Sequence, residues 1–323
     1  MKRFKKLLAV LNGGSGDADV TQRAIGLAKA NKAQLIFCAT HEMAPPVQGI
    51  LMRSGPYKEL DRLLRKEQQS NLREAVAKAR ADGQPARYRL LEGKAFLSII
   101  HEVLRDSRDL VLYPDDNVPS FRSRLFGSTA THLLRKCPCP VWILKPMATR
   151  PRQKRFKLVL AAVNAASGIP VEVALNTKIL ELATSLAKRE GAEIHVIHCW
   201  SVFGESLLAG PRGPLTNDEM KAYRKQTRDR NYTAANELLA GFLNDGHKIQ
   251  KHILKGEPET LIPEMSEKLT ADVVVMGTVA RTGLDGVFIG NTAENVLQQI
   301  GRSVLAVKPD GFVSPVRLDN EGP

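Results

Sequence analysis

Residues 91–113 read LEGKAFLSIIHEVLRDSRDLVLY, and residues 254–276 read LKGEPETLIPEMSEKLTADVVVM. The two segments align at a constant offset of 163. Gly93 falls on Gly256 and Asp109 on Asp272; further on, Gly127 falls on Gly290 and Lys145-Pro146 on Lys308-Pro309. Upstream, LAKANKAQL from Leu27 matches LAKREGAEI from Leu186, 159 apart, and Asn12 matches Asn164, 152 apart. The offset grows along the chain while the order is kept, so the second copy carries short insertions. Two copies of one large unit exclude a solenoid of many short repeats and divide the chain of 323 residues into two domains.

Within each copy, short apolar runs alternate with amphipathic stretches. The first copy reads as strands at Leu7–Leu11, Leu35–Thr40, Arg87–Leu91, Leu110–Tyr113 and Val141–Lys145. Helices fall near Asp17–Asn31, Tyr57–Ala81, Ala95–Asp106 and Ser128–Arg135. The second copy repeats the strands at Leu158–Val163, Glu193–His198, Ile249–Leu254, Val273–Met276 and Val304–Val307. Thr216 and Glu219 have capping-box spacing and start a helix ending near Asn244. Pro258 suits a first helical turn, and Pro263 is expected to kink that helix. Apolar strands alternating with helices predict an α/β fold with parallel sheets covered on both faces. The expected boundaries are 1–147 and 157–311, with a basic linker at 148–156 and a tail at 312–323.

Composition excludes several classes. Apolar residues make up 43% and charged residues 25%, which rules out collagen-like, low-complexity and disordered chains. Four cysteines are too sparse for a disulfide scaffold and suit a reducing cytoplasm. The C-P-C step at Cys137 and Cys139 lacks CxxC metal or redox spacing. No stretch has the apolar length of a membrane helix, and the start, MKRFKKLLAVLN, reads as a buried strand rather than a secretory leader. The net charge of +13 suits anionic partners without choosing among nucleotide, nucleic acid and phospholipid.

In doubly wound sheets, ligands bind beyond the carboxyl ends of the strands where strand order reverses. The second copy places Asn164, Gly256, Gly277, Thr278, Ala280 and Arg281 at such ends, and Gly290, Asn291 and Thr292 then open a helix. Gly277 and Gly290 would let backbone approach a ligand, and a helix N-terminus attracts phosphate. Asn164 can hydrogen-bond a ribose hydroxyl or a base edge, Arg281 adds charge, and His198 near a strand end is a candidate lining residue. The bland alternative is that these glycines make turns and Asn291 caps a helix. His195 and His198, three apart on a strand, point to opposite faces and do not share a metal. His247 and His252 are read as surface residues. Asp109 and Asp272 are read as capping the preceding turns.

The segment GTVARTGLDGVFIGNTAEN, Gly277 to Asn295, resembles the nucleotide loop of the universal stress protein family, G-x2-G-x9-G-[ST]. Ala280 replaces the middle glycine and Asn291 the final Ser or Thr. LVLAAVN, ending at Asn164, resembles the family's opening strand, with Asn where adenine-binding members carry Asp. KGEPETLIPEMSEKLTADVVVMGT resembles its central block. The resemblance implies a tandem pair of domains, each a five-stranded parallel sheet of order 3-2-1-4-5 in the adenine nucleotide alpha hydrolase style. It implies a stress-survival role, including survival of DNA damage, with ATP or AMP bound in some members and no nucleotide in others. It implies fifth-strand pairing, here internal through Val141–Lys145 and Ser303–Val307, with a further homodimer left open.

The first copy carries Pro114, Asp115, Asp116 and Asn117 where the second has its loop, so nucleotide is expected only in the second copy. No metal is expected. The leading reading is a non-catalytic binder of a small anionic ligand. A slow ATPase needs a metal ligand and a water-positioning group that are not visible in the sequence. Non-specific DNA binding would rest on charge alone and predicts steep salt dependence.

Overall fold

The computed structural model describes residues 4–42, 55–115, 126–145, 155–209, 213–244, 248–278 and 290–318. Its first half runs β1 (Lys6–Val10), α1 (Asp17–Asn31), β2 (Gln34–His41), α2 (Gly55–Ala81), β3 (Ala86–Glu92), α3 (Ala95–Asp106), β4 (Leu110–Pro114), α4 (Ser128–Lys136) and β5 (Val141–Leu144). Its second half runs β6 (Leu158–Val163), α5 (Pro170–Glu190), β7 (Glu193–Trp200), α6 (Glu205–Leu208), α7 (Asn217–Asn244), β8 (Ile249–Lys255), α8 (Pro258–Lys268), β9 (Val273–Gly277), α9 (Asn291–Gln299) and β10 (Ser303–Val307).

The strands form one ten-stranded sheet in the order β3-β2-β1-β4-β5-β10-β9-β6-β7-β8. Each half has the parallel 3-2-1-4-5 order. The halves join where β5 and β10 pair antiparallel, Ile143 opposite Val304 and Val141 opposite Ala306. Alternation along the strands sorts their side chains to two faces. Leu7, Phe37, Trp142, Val159 and Leu305 enter one core with α1, α2 and α5. Leu8, Cys38, Ile143, Leu160 and Val304 enter the other, with α3, α4, α8 and α9. Both cores run across the join, so the halves share their interiors.

Repeated local devices fix the repeated elements. Asp109 accepts the N–H groups of Lys5 and Lys6 at 2.5 and 2.9 Å, and Asp272 accepts those of Lys157 and Leu158 at 2.5 and 2.9 Å. These carboxylates therefore clamp the starts of β1 and β6; the expected role of capping the preceding turns is replaced by this longer reach. Gly93 and Gly256 both have positive φ, 94° and 143°, and donate to His41 and Trp200 respectively, turning the chain off β3 and β8. Thr216 and Glu219 form the reciprocal capping box. Pro263 lies inside α8 and leaves the Glu259 carbonyl without its helical donor; Gln299 Nε2 of α9 supplies one at 3.1 Å.

Two buried lysines, 163 residues apart, tie the halves together. Lys145 donates through Nζ to the Ile300 carbonyl at the end of α9, 3.1 Å away. Lys308 donates to the Leu134 carbonyl in the last turn of α4, and to Thr278 Oγ1 at 2.7 Å. Each cation thus sits at the negative end of a helix in the opposite half. Lys145 also has Asp115 at 3.8 Å, whereas Lys308 meets the hydroxyl of Thr278 at the equivalent position. Burial holds the Lys308 ammonium down to about 8.

Candidate functional site

Where β6 and β9 lie side by side, their following connections diverge to opposite sides of the sheet. This is the switch point of the second half. A cavity of about 310 Å³ opens at their carboxyl ends. Its wall is apolar, with Leu175 and Ile179 from α5, Ile262 from α8, Met276 from β9 and Val296 from α9. Its polar lining includes Asn164 from the end of β6, Glu172 and Asn176 from α5, and Thr292 from the first turn of α9.

Several expected residues meet here. Asn164, Gly277 and Thr292 line the cavity, and Gly290 and Asn291 set the start of α9 beside it. Asn164 is held at both ends of its backbone by Asn176, whose Oδ1 accepts its N–H at 3.0 Å and whose Nδ2 donates to its carbonyl at 2.8 Å. Its own side-chain amide donates to Glu172 at 3.1 Å. Gly256 does not line the cavity; its positive φ directs the chain into α8, which brings Pro258 and Ile262 to the wall.

Gly277 also makes a close packing contact that the sequence did not show. A Cβ there would lie 2.7 Å from Leu175 Cδ2 and 3.6 Å from Ile179 Cδ1. The glycine admits α5 against the end of β9, and this packing shapes the wall.

Two expected lining residues lie elsewhere. Thr278 is fully buried; its hydroxyl accepts from Lys308 and its carbonyl accepts the Gly290 N–H at 3.2 Å. His198 is 2% exposed. Its Nε2 lies 2.8 Å from Asn231 Oδ1 of α7, and its Nδ1 lies 3.3 Å from the Ala165 N–H. Since Asn231 Nδ2 donates to Thr227, its Oδ1 accepts from His198 Nε2, while the Val163 carbonyl also lies 3.3 Å from Nδ1. His198 anchors the loop after β6 rather than facing the cavity. Ala280 and Arg281 lie outside the described residues, as do Asp116, Asn117 and His247.

The described charges around the cavity are acidic. Glu172 is on its wall, and Glu257 and Glu259 lie close enough to Cys199 to raise its thiol; with burial as the larger cause, that thiol is pushed up to about 12. Among the described residues no cation lines the cavity. An anionic group entering here meets the first-turn amides of α9, which lack helical acceptors, together with the side chains of Asn291 and Thr292.

The apolar wall residues were not singled out in the sequence, where they read as ordinary core positions. Nor was the contact between His195 and His252. These rings stack across β7 and β8 with 2.9 Å between Nδ1 and Nε2, so His252 is part-buried rather than a surface residue. Burial, and secondarily His195 and Lys268, lower its pKa. Cys137 and Cys139 are buried free thiols with sulfurs 3.6 Å apart. In the first half, the loop after β1 is closed by its own side chains: Asp17 accepts the N–H groups of Asn12 and Gly13 at 3.0 and 2.9 Å. Among the described residues no helix is long and apolar enough to cross a membrane.

The model of the universal stress protein family matches residues 3–145 and 169–308, one match in each half. Universal stress protein E of Salmonella typhi is 31% identical over 331 residues, covering 99% of both chains. A crystallised universal stress protein of Pseudomonas aeruginosa UCBPP-PA14 is 25% identical, with a TM-score of 0.66 over 95% of this chain and 94% of that one. One from Archaeoglobus fulgidus DSM 4304, at 18% identity, shares the fold with a TM-score of 0.63 over 94% and 98%.

Proposed function

The chain belongs to the universal stress protein family, and from that premise we propose that it is a cytoplasmic, non-catalytic stress-response protein binding ATP or AMP in its second half. The observation that carries this reading is the 310 Å³ cavity at the switch point, apolar on its wall and bordered by the start of a helix. A volume near 300 Å³ lies at the lower end of the range for small-molecule sites. Ile179, Ile262 and Met276 supply a surface against which a base can pack. Asn164 and Glu172 suit ribose hydroxyls. The first turn of α9, with Asn291 and Thr292, suits the phosphate. The acidic Pro114-Asp115-Asp116-Asn117 segment of the first copy, in place of the second copy's glycine-led loop, supports a single nucleotide per chain.

Isothermal titration with ATP and AMP tests this, with Gly290→Asp as the control. Aspartate is a favoured N-cap, so the variant keeps α9 while its carboxylate occupies a first-turn amide and repels phosphate. Saturable one-site binding that the variant loses is expected. No heat above background for either nucleotide removes the nucleotide part of the reading. Phosphate release from ATP that Gly290→Asp abolishes would replace the non-catalytic reading with the ATPase one.

A further inference from the structure

A second recess, of about 910 Å³, lies toward the β3 edge of the sheet, at the amino ends of β2 and β3. Lys32, Arg80, Arg87, Arg89 and Arg108 line it, with Asp106 as the lining carboxylate. The four outer cations are exposed, while the Arg108 side chain is 3% exposed. Its Nη2 reaches Asp106 and, at 3.4 Å, the fully buried Glu102, which Arg89 also pairs at 2.7 Å. Arg108 Nε and Nη1 are buried and have no hydrogen-bond partner among the described residues. A buried guanidinium with two open donors calls for an acceptor, because desolvated donors left unpaired are costly.

The second copy shows that the fold does not require this cluster. At the same offset of 163, Glu102, Asp106 and Arg108 correspond to Met265, Leu269 and Ala271, which pack with the apolar core on that face. The first half has thus placed charge where its duplicate closes the same corner with apolar side chains. Five cations against Glu102 and Asp106 leave an excess positive charge around an open volume.

We propose that this recess binds a small molecule bearing linked phosphates, a diphosphate or longer. Arg108 on the floor takes one phosphate, and its planar donors suit phosphate oxygens. Lys32, Arg80 and Arg87 around the rim stay unmatched by a single phosphate and take those linked to it. The buried floor selects a compact anion over a nucleic-acid duplex, whose phosphates remain at the rim. This site is separate from the nucleotide cavity, and it stands in the other half of the chain.

The test is calorimetric titration of inorganic tripolyphosphate, which carries no base, into the full chain in the Gly290→Asp background, so that the second-half site is silent. Saturable one-site binding is expected. It should weaken at least tenfold in Lys32→Glu/Arg87→Glu and in Glu102→Met/Arg108→Ala. The latter transplants the second copy's residues, and replacing a buried ion pair with apolar groups leaves such sites folded. Lys221→Glu/Lys225→Glu makes the same change in net charge on the exposed face of α7 and should bind as the parent does. Three results would each overturn the proposal: no saturable binding, equal weakening in the α7 control, or full binding by the Glu102→Met/Arg108→Ala protein.

Discussion

Replacing Gly277 with alanine separates the packing of the cavity wall from the stability of the fold. The added Cβ would lie 2.7 Å from Leu175 Cδ2 and 3.3 Å from its Cγ, so Leu175 must move by roughly 1 Å to restore ordinary contact at 3.5–4.0 Å. The clash is with the end of a side chain that borders an open volume, so the leucine can turn into the cavity. Overpacking in a filled core costs about 1–3 kcal/mol, and room to yield places this case near the lower end. Gly277 is not among the positive-φ glycines. Alanine there returns about 0.4–1 kcal/mol by restricting the unfolded chain. Net destabilisation should therefore stay within about 1 kcal/mol in a denaturant melt.

The cavity should meanwhile lose the space that Leu175 enters. AMP affinity should fall about tenfold, equivalent to about 1.4 kcal/mol. Leu175→Ala added to Gly277→Ala should recover most of that loss, giving a coupling of opposite sign to the single effects. Unchanged AMP affinity in Gly277→Ala, or a loss that Leu175→Ala leaves untouched, would refute the argument that Leu175 sets the wall.

Asp272→Ala should destabilise by about 2–3 kcal/mol in urea melts, because two strand-opening N–H groups lose a buried acceptor. Asp109→Ala should cost less, since its contact with Lys5 is exposed; equal losses would contradict the clamp account. Lys308 gives a pH signature. Its folded pKa is about 8, below its ordinary 10.5, so between these values the unfolded chain binds the extra proton and stability rises with pH. The stability of the wild type relative to Lys308→Met should rise by about 2 kcal/mol from pH 7.5 to 10, and a flat or falling difference would contradict the burial of this cation.

The central strands were legible because each is a short apolar run buried on both faces, whereas the largely exposed edge strands β3 and β8 were placed by the repeated element order, and the sheet order was an implication of the family resemblance. Val273–Met276 and Leu158–Val163 need only local pattern to be recognised. The opening of α9 was legible for the same reason, since Gly290-Asn291-Thr292 carries a local helix-start chemistry. Residues whose role depends on contact across elements were not. Gly277 reads as a phosphate-loop glycine until Leu175, a hundred residues earlier, is placed against it. His198 reads as a pocket residue until Asn231 of α7 takes its Nε2–H. Thr278 reads as a ligand donor until buried Lys308 reaches its hydroxyl. The charged corner around Arg108 drew no reading from the sequence, because nothing in a linear sequence shows a guanidinium to be enclosed with donor nitrogens unpaired.

A crystal structure of the full chain grown with AMP tests the central claim most directly. The account predicts one nucleotide between α5 and α9, its base against Ile179, Ile262 and Met276 and its phosphate at the first turn of α9. An unoccupied cavity closed by Leu175 and its neighbours, or a nucleotide seated only elsewhere on the chain, would contradict it.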